Sequence, residues 1–351
     1  MNATIEVSRI RVQANERTMQ AVVAPRYGGA GVMAQAEVAV PKIGEREVLV
    51  RVRAGGLDRG TWHLMEGKPY LIRLFGFGLL KPSQPVMGRD LSGVVVEVGA
   101  KVTRFAPGDE VFGIGEGSFA ELCRASEDKL AKKPAALSFE QAAVLGISGL
   151  TALKGLETAQ LRAGQKVLII GASGGVGSYL VQLAKALGAE VTAVCSAAKA
   201  AWVRSLGATH VIDYRREDYS AGTHCYDVIF DGGGHPPIAK LRKVLTPKGT
   251  VVFVGSEDAG DLTGGIFGRP LWGALVGLFT GQKFKMLMNR EHFSGLEQLV
   301  RHVEAGELKP ALERSVPLSN AQAAMRALVA GEVRGKLAVT PTANGSTLDG
   351  H

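Results

Sequence analysis

The residues best placed to do chemistry lie in one short run, Gly171-Ala172-Ser173-Gly174-Gly175-Val176-Gly177. It follows the apolar stretch 166–171 directly and opens a helical pattern with Leu180, Leu183, Ala184 and Leu187 on one face. Glycines there let the backbone approach a pyrophosphate, and the unsatisfied N–H groups of a helix N-terminus bind its charge. The run departs from G-x-G-x-x-G at the first position, where Ala172 stands. About twenty residues on, an NAD site places Asp or Glu against the ribose 2′-hydroxyl. This chain has Cys195-Ser196-Ala197-Ala198-Lys199 there. A hydroxyl and a cation without an acid suit a 2′-phosphate, so NADPH is the expected cofactor. Ser196 also fits an N-cap for the helix that follows. The candidate cofactor residues are therefore Ser173, Gly174, Gly175, Val176, Gly177, Ser196 and Lys199, with Gly255 closing a later strand.

These residues need a scaffold, and the pattern supplies one. Strands at 166–171, 190–195, 211–213, 227–231 and 250–255 alternate with helices at 176–187 and 197–206, with a further helix between the last two strands and a sixth strand at 284–288. Continuous β-branched runs separated by helices predict a doubly wound parallel sheet. Residues 19–135 read differently, as short strands punctuated by Gly and Pro: an all-β region, in the manner of a small barrel. Ser138 is placed to start a helix, 294–305 and 319–330 read as helices, 308–317 as extended chain and 336–340 as a last strand. Residues 1–18 and 341–351 read as flexible ends.

Composition narrows the class. With 351 residues, 46% hydrophobic and 21% charged, the chain is long enough for two packed domains and too apolar for general disorder. The longest apolar run, 271–279, is about half a membrane span, so membrane contact is peripheral at most. Net charge is +8, but without a basic run, so anionic small ligands are expected and nucleic acid is not. Cys123, Cys195 and Cys225 lack paired spacing and point to a reducing setting, with the cytoplasm as default.

Several further motifs carry a family likeness. They are Pro85-Val86-Met87-Gly88-Arg89-Asp90-Leu91-Ser92-Gly93, the turn from Phe105 through Pro107-Gly108-Asp109-Glu110 to Gly113, Gly149-Leu150-Thr151-Ala152, Gly174-Gly175-Val176-Gly177, Val211-Ile212-Asp213-Tyr214 and Arg334-Gly335-Lys336-Leu337. Over residues 19–340 the sequence resembles the medium-chain dehydrogenase/reductase superfamily, and within it the zinc-independent, ζ-crystallin-like quinone oxidoreductases. The resemblance implies a GroES-like β-barrel domain from 19–142 plus 290–340, a Rossmann domain at 143–289 inserted into it, and a substrate cleft at their junction. It implies that Thr151 and Lys336 approach the nicotinamide and that Tyr214 packs by the adenosine phosphate. It also implies a homodimer in which the sixth strand pairs the two sheets.

Zinc-dependent members carry Cys where Asp58 stands and Gly-His-Glu where Gly88-Arg89-Asp90 stands. A permanent guanidinium repels Zn²⁺, so no metal is expected. Without a Lewis acid, an activated acceptor is easier to reduce than an alcohol is to oxidise. The implied activity is NADPH-dependent reduction of a quinone or an α,β-unsaturated carbonyl. An alcohol dehydrogenase, an enoyl thioester reductase and a non-enzymatic NADPH- or RNA-binding protein are the alternatives. Asp58 is the candidate proton donor, or else a helix N-cap or a salt-bridge partner of Arg59 or Arg89. Tyr70 and Arg89 are the other candidate catalytic residues, and Tyr70 and Trp62 are candidates for the cleft wall. Residues 261–290 are rich in large apolar side chains that suit a pocket, a dimer surface or a membrane interface.

Overall fold

The computed structural model describes residues 17–221, 225–233, 236–255, 264–288 and 290–341. The two ends read as flexible thus fall almost wholly outside the described residues; Thr18 already belongs to a strand. The first half builds β1 (Thr18–Val23), β2 (Ala34–Ala39), β3 (Glu47–Leu57), α1 (Arg59–Glu66), β4 (Asp90–Val98), β5 (Glu110–Ile114), β6 (Leu122–Ser126) and β7 (Leu130–Lys132). Helices α2 (Phe139–Ala143) and α3 (Gly146–Ala159) lead into β8 (Lys166–Ile170), α4 (Gly175–Ala186), β9 (Glu190–Cys195), α5 (Ala197–Leu206) and β10 (His210–Asp213). The chain continues through β11 (Tyr226–Asp231), α6 (Ile238–Lys243), β12 (Leu245–Phe253), α7 (Gly264–Thr280) and β13 (Lys283–Met286). It closes with α8 (Phe293–Glu304), β14 (Leu312–Pro317), α9 (Ala321–Val329) and β15 (Lys336–Thr340).

The middle of the chain forms a six-stranded parallel sheet in the order β10-β9-β8-β11-β12-β13. Its strands β8, β9 and β11 are buried on both faces, as their unbroken apolar runs require. Val167, Ile169, Val228 and Phe230 face one cluster with α3 and α4; Leu168, Ile170, Ile229 and Val251 face the other. The strand order reverses between β8 and β11, and the carboxyl ends at this switch point are where such folds bind ligands.

The remaining strands make a second, seven-stranded sheet in the order β14-β15-β3-β4-β5-β7, with β6 on β3; β1 pairs with β2 and is tied by isolated bridges from Ala21 to Ala120 and from Val23 to Val86. Strand β15 returns from the far end of the chain to pair antiparallel with β3 at Gly55–Leu57. Ser138 caps α2 in a reciprocal capping box with Gln141, as its position before the helix predicts.

Helix α7 is the element the sequence hides. Its Pro270 and five glycines argue against a helix, yet it packs along β13 with Phe284 seated against Gly273. Burial against the sheet outweighs the local preferences.

Candidate active site

A cleft of about 470 Å³ opens between the two sheets. Its wall on one side is the turn from β8 into α4. Gly171 has φ +81° and makes the sharp turn that the Gly-x-Gly pattern assigns one residue later, while Ala172 is buried and bonds back to Val194. Gly177 is needed for contact rather than for freedom: a Cβ there would lie 2.2 Å from the Gly171 carbonyl oxygen. Gly174 is the N-cap of α4 without a side-chain cap, and the first-turn amides behind it have no carbonyl one turn back to bond. Ser173, Gly174, Gly175 and Val176 line the cleft; Gly177 sits beneath, holding helix to strand.

Farther along the cleft stand Ser196, Lys199, Tyr214 and Arg215. Ser196 occupies the N-cap position of α5 but makes no capping hydrogen bond, so its hydroxyl remains available to the cleft. Lys199 differs from expectation. Its ammonium donates to the carbonyls of Gly331 and Val333 at 2.7 and 2.6 Å, bolting α5 to the chain leading into β15. The better-placed cation is Arg215, which the sequence reading missed; it is exposed, beside Tyr214, with its guanidinium 5.7 Å from that ring. The run Tyr214-Arg215-Arg216 after a strand end was the available signal.

The cleft floor holds a buried charge cluster. Lys336 is 1% exposed, and its ammonium donates to Asp90 and lies 3.4 Å from Asp58 Oδ2. Its aliphatic stem and the Ser148 hydroxyl crowd the side of Gly175 that a Cβ would need. Asp58 caps α1 by accepting from the Thr61 amide at 2.8 Å and the Thr61 hydroxyl at 3.1 Å. Burial pushes its carboxyl up, but the Lys336 charge and the Thr61 hydrogen bonds outweigh this and hold it below the usual range. Asp90 is pushed up to about 6 by burial and by the neighbouring Asp58, against the pull of Lys336. Its other oxygen accepts from the Ile147 amide at 2.7 Å, which fixes the start of α3. The two carboxylates hold the ammonium protonated well beyond its ordinary range, despite burial.

Five of the catalytic, wall and cofactor candidates lie elsewhere. Asp58 pairs with Lys336, not with Arg59 or Arg89, and its lowered pKa does not suit a proton donor. Arg89 instead binds Glu291 at 2.7 Å and lines a separate cavity. Tyr70 is on an exposed turn with Arg73 over its ring at 4.6 Å, outside the cleft, and Trp62 packs between α1 and the α9 cluster. Thr151 is one turn too deep in α3: its hydroxyl bonds the Ile147 carbonyl at 2.7 Å, while Ile147 and Ser148 face the cleft. Gly255 is exposed past the end of β12 and does not line the cleft. Lys336 does line it, as part of the ion cluster.

The cleft fits a phosphorylated dinucleotide. Among the described residues, Arg59, Lys199, Arg215 and Lys336 line it against one acid, Asp58, and the glycine turn offers first-turn amides at its edge. A two-domain chain with such a turn at the switch point, its last strand closing on the first domain, defines the medium-chain dehydrogenase/reductase class.

Comparison with known proteins agrees. Residues 44–135 match the alcohol dehydrogenase GroES-like domain and residues 206–339 the zinc-binding dehydrogenase family. A chloroplast envelope quinone oxidoreductase homolog of Arabidopsis thaliana is 33% identical over 332 residues, 90% of this chain and 95% of that protein. An NADPH-dependent alkenal/one oxidoreductase of the same plant is 32% identical, covering 93% of this chain and 80% of its own. The quinone oxidoreductase from Coxiella burnetii superposes with a TM-score of 0.80 at 28% identity, over 93% of this chain and all of that one. The chain belongs to the medium-chain dehydrogenase/reductase superfamily, in its quinone oxidoreductase branch.

Proposed function

We propose that this protein is an NADPH-dependent reductase that works without zinc and transfers hydride to a quinone or an α,β-unsaturated carbonyl. The observation that carries the reading is the ammonium of Lys336 wedged between Asp58 and Asp90 on the cleft floor. A zinc ion at these carboxylates would have to displace a buried, doubly paired cation. When bound, NADPH supplies the hydride, and an acceptor that delocalises the resulting negative charge needs no metal to polarise it. The chain's own part is to seat the pyrophosphate on the α4 amides, to meet the 2′-phosphate with Ser196 and Arg215, and to close the cleft floor with the Asp58–Lys336–Asp90 cluster. The names of the quinone and alkenal/one oxidoreductase relatives agree with this substrate class.

The test is NADPH oxidation over small quinones, enones, 2-alkenals and simple alcohols in the reverse direction, with and without EDTA. Turnover of quinones or enones at rates unchanged by the chelator is expected. Chelator-sensitive alcohol oxidation, or NADPH binding without turnover of any acceptor, would overturn the reading.

The functional unit in this reading is a homodimer in the cytoplasm. Strand β13 bonds only β12 among the described residues, leaving its other edge open. Helix α7 beside it exposes Leu271, Trp272, Leu275, Leu278 and Phe279, a patch that a second copy would cover. The cytoplasmic setting rests on the three unpaired cysteines and is checked by cell fractionation.

A further inference from the structure

A second cavity, of about 440 Å³, lies within the β domain and is not part of the cofactor cleft. One of its walls is a face of α1, where Thr61, Leu64 and Met65 share a side at helical spacing. Phe77, Val86, Met87 and Ile114 continue the apolar lining. The two spaces meet at one pair of side chains: Thr61 lines the cavity, and its hydroxyl donates at 3.1 Å to Asp58, which lines the cleft. They adjoin again where Arg89, on the cavity wall, precedes Asp90, whose carboxylate holds Lys336 on the cleft floor.

The charges around this cavity balance only as a group, with the Glu47 carboxylate also on its wall. Arg89 and Lys129 both bind Glu291, at 2.7 and 3.0 Å, and Arg124 binds Glu116 at 2.6 Å. A carboxylate or phosphate entering here would meet as many carboxylates as cations and would lose its hydration, a cost that an uncharged chain does not carry. The volume falls within the usual range of small-molecule sites, about 300–1,000 Å³.

We propose that this cavity receives the apolar substituent of the acceptor, so that the preferred substrates are uncharged quinones or 2-alkenals carrying a long alkyl chain. The proposal rests on the reductase reading above. The carbonyl end then lies by the Asp58–Thr61 wall, and selectivity comes from Leu64, Met65, Phe77 and Val86.

The experiment measures kcat/KM for NADPH oxidation along a series of 2-alkenals of increasing chain length, in the wild type and in Leu64→Trp. Leu64 is half-buried, so the larger ring can grow into the cavity without displacing the core. In the wild type kcat/KM should rise roughly fourfold per buried methylene until the cavity is full. Leu64→Trp should lower the ratio of long-chain to short-chain kcat/KM at least tenfold. Val86→Phe, on another wall segment, repeats the test should Leu64→Trp not fold. A flat series in the wild type, or an unchanged ratio in a folded variant, would overturn the proposal while leaving the reductase reading intact. No oxidation with any member of the series, nor with small quinones, would overturn both.

Discussion

Lys336 is a buried charge that stays only because two carboxylates hold it. Removing one partner of such a cluster leaves the others uncompensated, at a cost of about 3–5 kcal/mol. Lys336→Met should therefore lower unfolding free energy in urea at pH 7 by roughly that amount. The pH dependence has a definite sign. Without the ammonium, Asp58 and Asp90 lose the charge that most lowers their pKa values, so their native values rise above the unfolded ones. Such carboxylates take up protons on folding, and stability falls as pH rises through the native values. The variant should gain stability between pH 8 and pH 5. In the wild type Lys336 is raised, so its contribution is intact at neutral pH and is lost only as strongly alkaline solution is reached. A second residue-scale test separates the two cations by the phosphate site. Arg215→Ala should weaken NADPH about tenfold and leave NADH nearly unchanged, an exposed guanidinium giving less than a buried one. Lys199→Ala should weaken both cofactors alike, because it removes a bolt between α5 and the approach to β15. Titration calorimetry with each cofactor distinguishes the outcomes.

At the scale of elements, the junction of β8 with α4 is the tightest piece of construction. Gly177→Ala puts a methyl against the Gly171 carbonyl, and overpacking of this kind costs about 1–3 kcal/mol. The helix can relieve it only by moving off the turn. NADPH affinity should then fall at least tenfold, while thermal unfolding shifts by only a few degrees. This junction was legible in the sequence, because a strand, a glycine run and an amphipathic helix are local and periodic. So were nearly all of the parallel strands. Helix α7 was not, since Pro270 and its glycines speak against a helix and only packing on β13 speaks for one. The ion cluster was not legible either. Lys336 lies 278 residues from Asp58 and 246 from Asp90, and a charged side chain in a strand reads as solvated until the sheet order is known. Thr151 was drawn in by family likeness and Tyr70 as an aromatic that could wall a cleft, neither with a local geometry to check it. Arg215 was passed over because the nearer Lys199 satisfied the same electrostatic argument.

At the scale of the molecule, the open β13 edge and the apolar face of α7 predict association. Sedimentation at micromolar concentration should give a species of twice the 36.9 kDa chain mass. Replacing Leu278 and Phe279 by glutamate should shift the balance to monomer without loss of NADPH binding, since neither residue lines the cleft. A single species at the chain mass in the wild type would rule the dimer out.

The placement of β15 between β14 and β3 also sets a timetable. During synthesis β3, α1 and β4 leave the ribosome early, with Asp58 and Asp90 made long before the cation that pairs them. Lys336 follows Asp58 by 278 residues, an interval of roughly 14–56 s at ~5–20 residues per second. For that time the Gly55–Leu57 edge is unpaired and two carboxylates face an unfinished floor. The first domain thus cannot mature in the order in which it is made; it waits for the last strand. Nascent chains arrested at residue 330 should be cleaved readily by protease within the β domain, whereas chains carried past residue 340 on a linker long enough to clear the ribosomal tunnel should resist it.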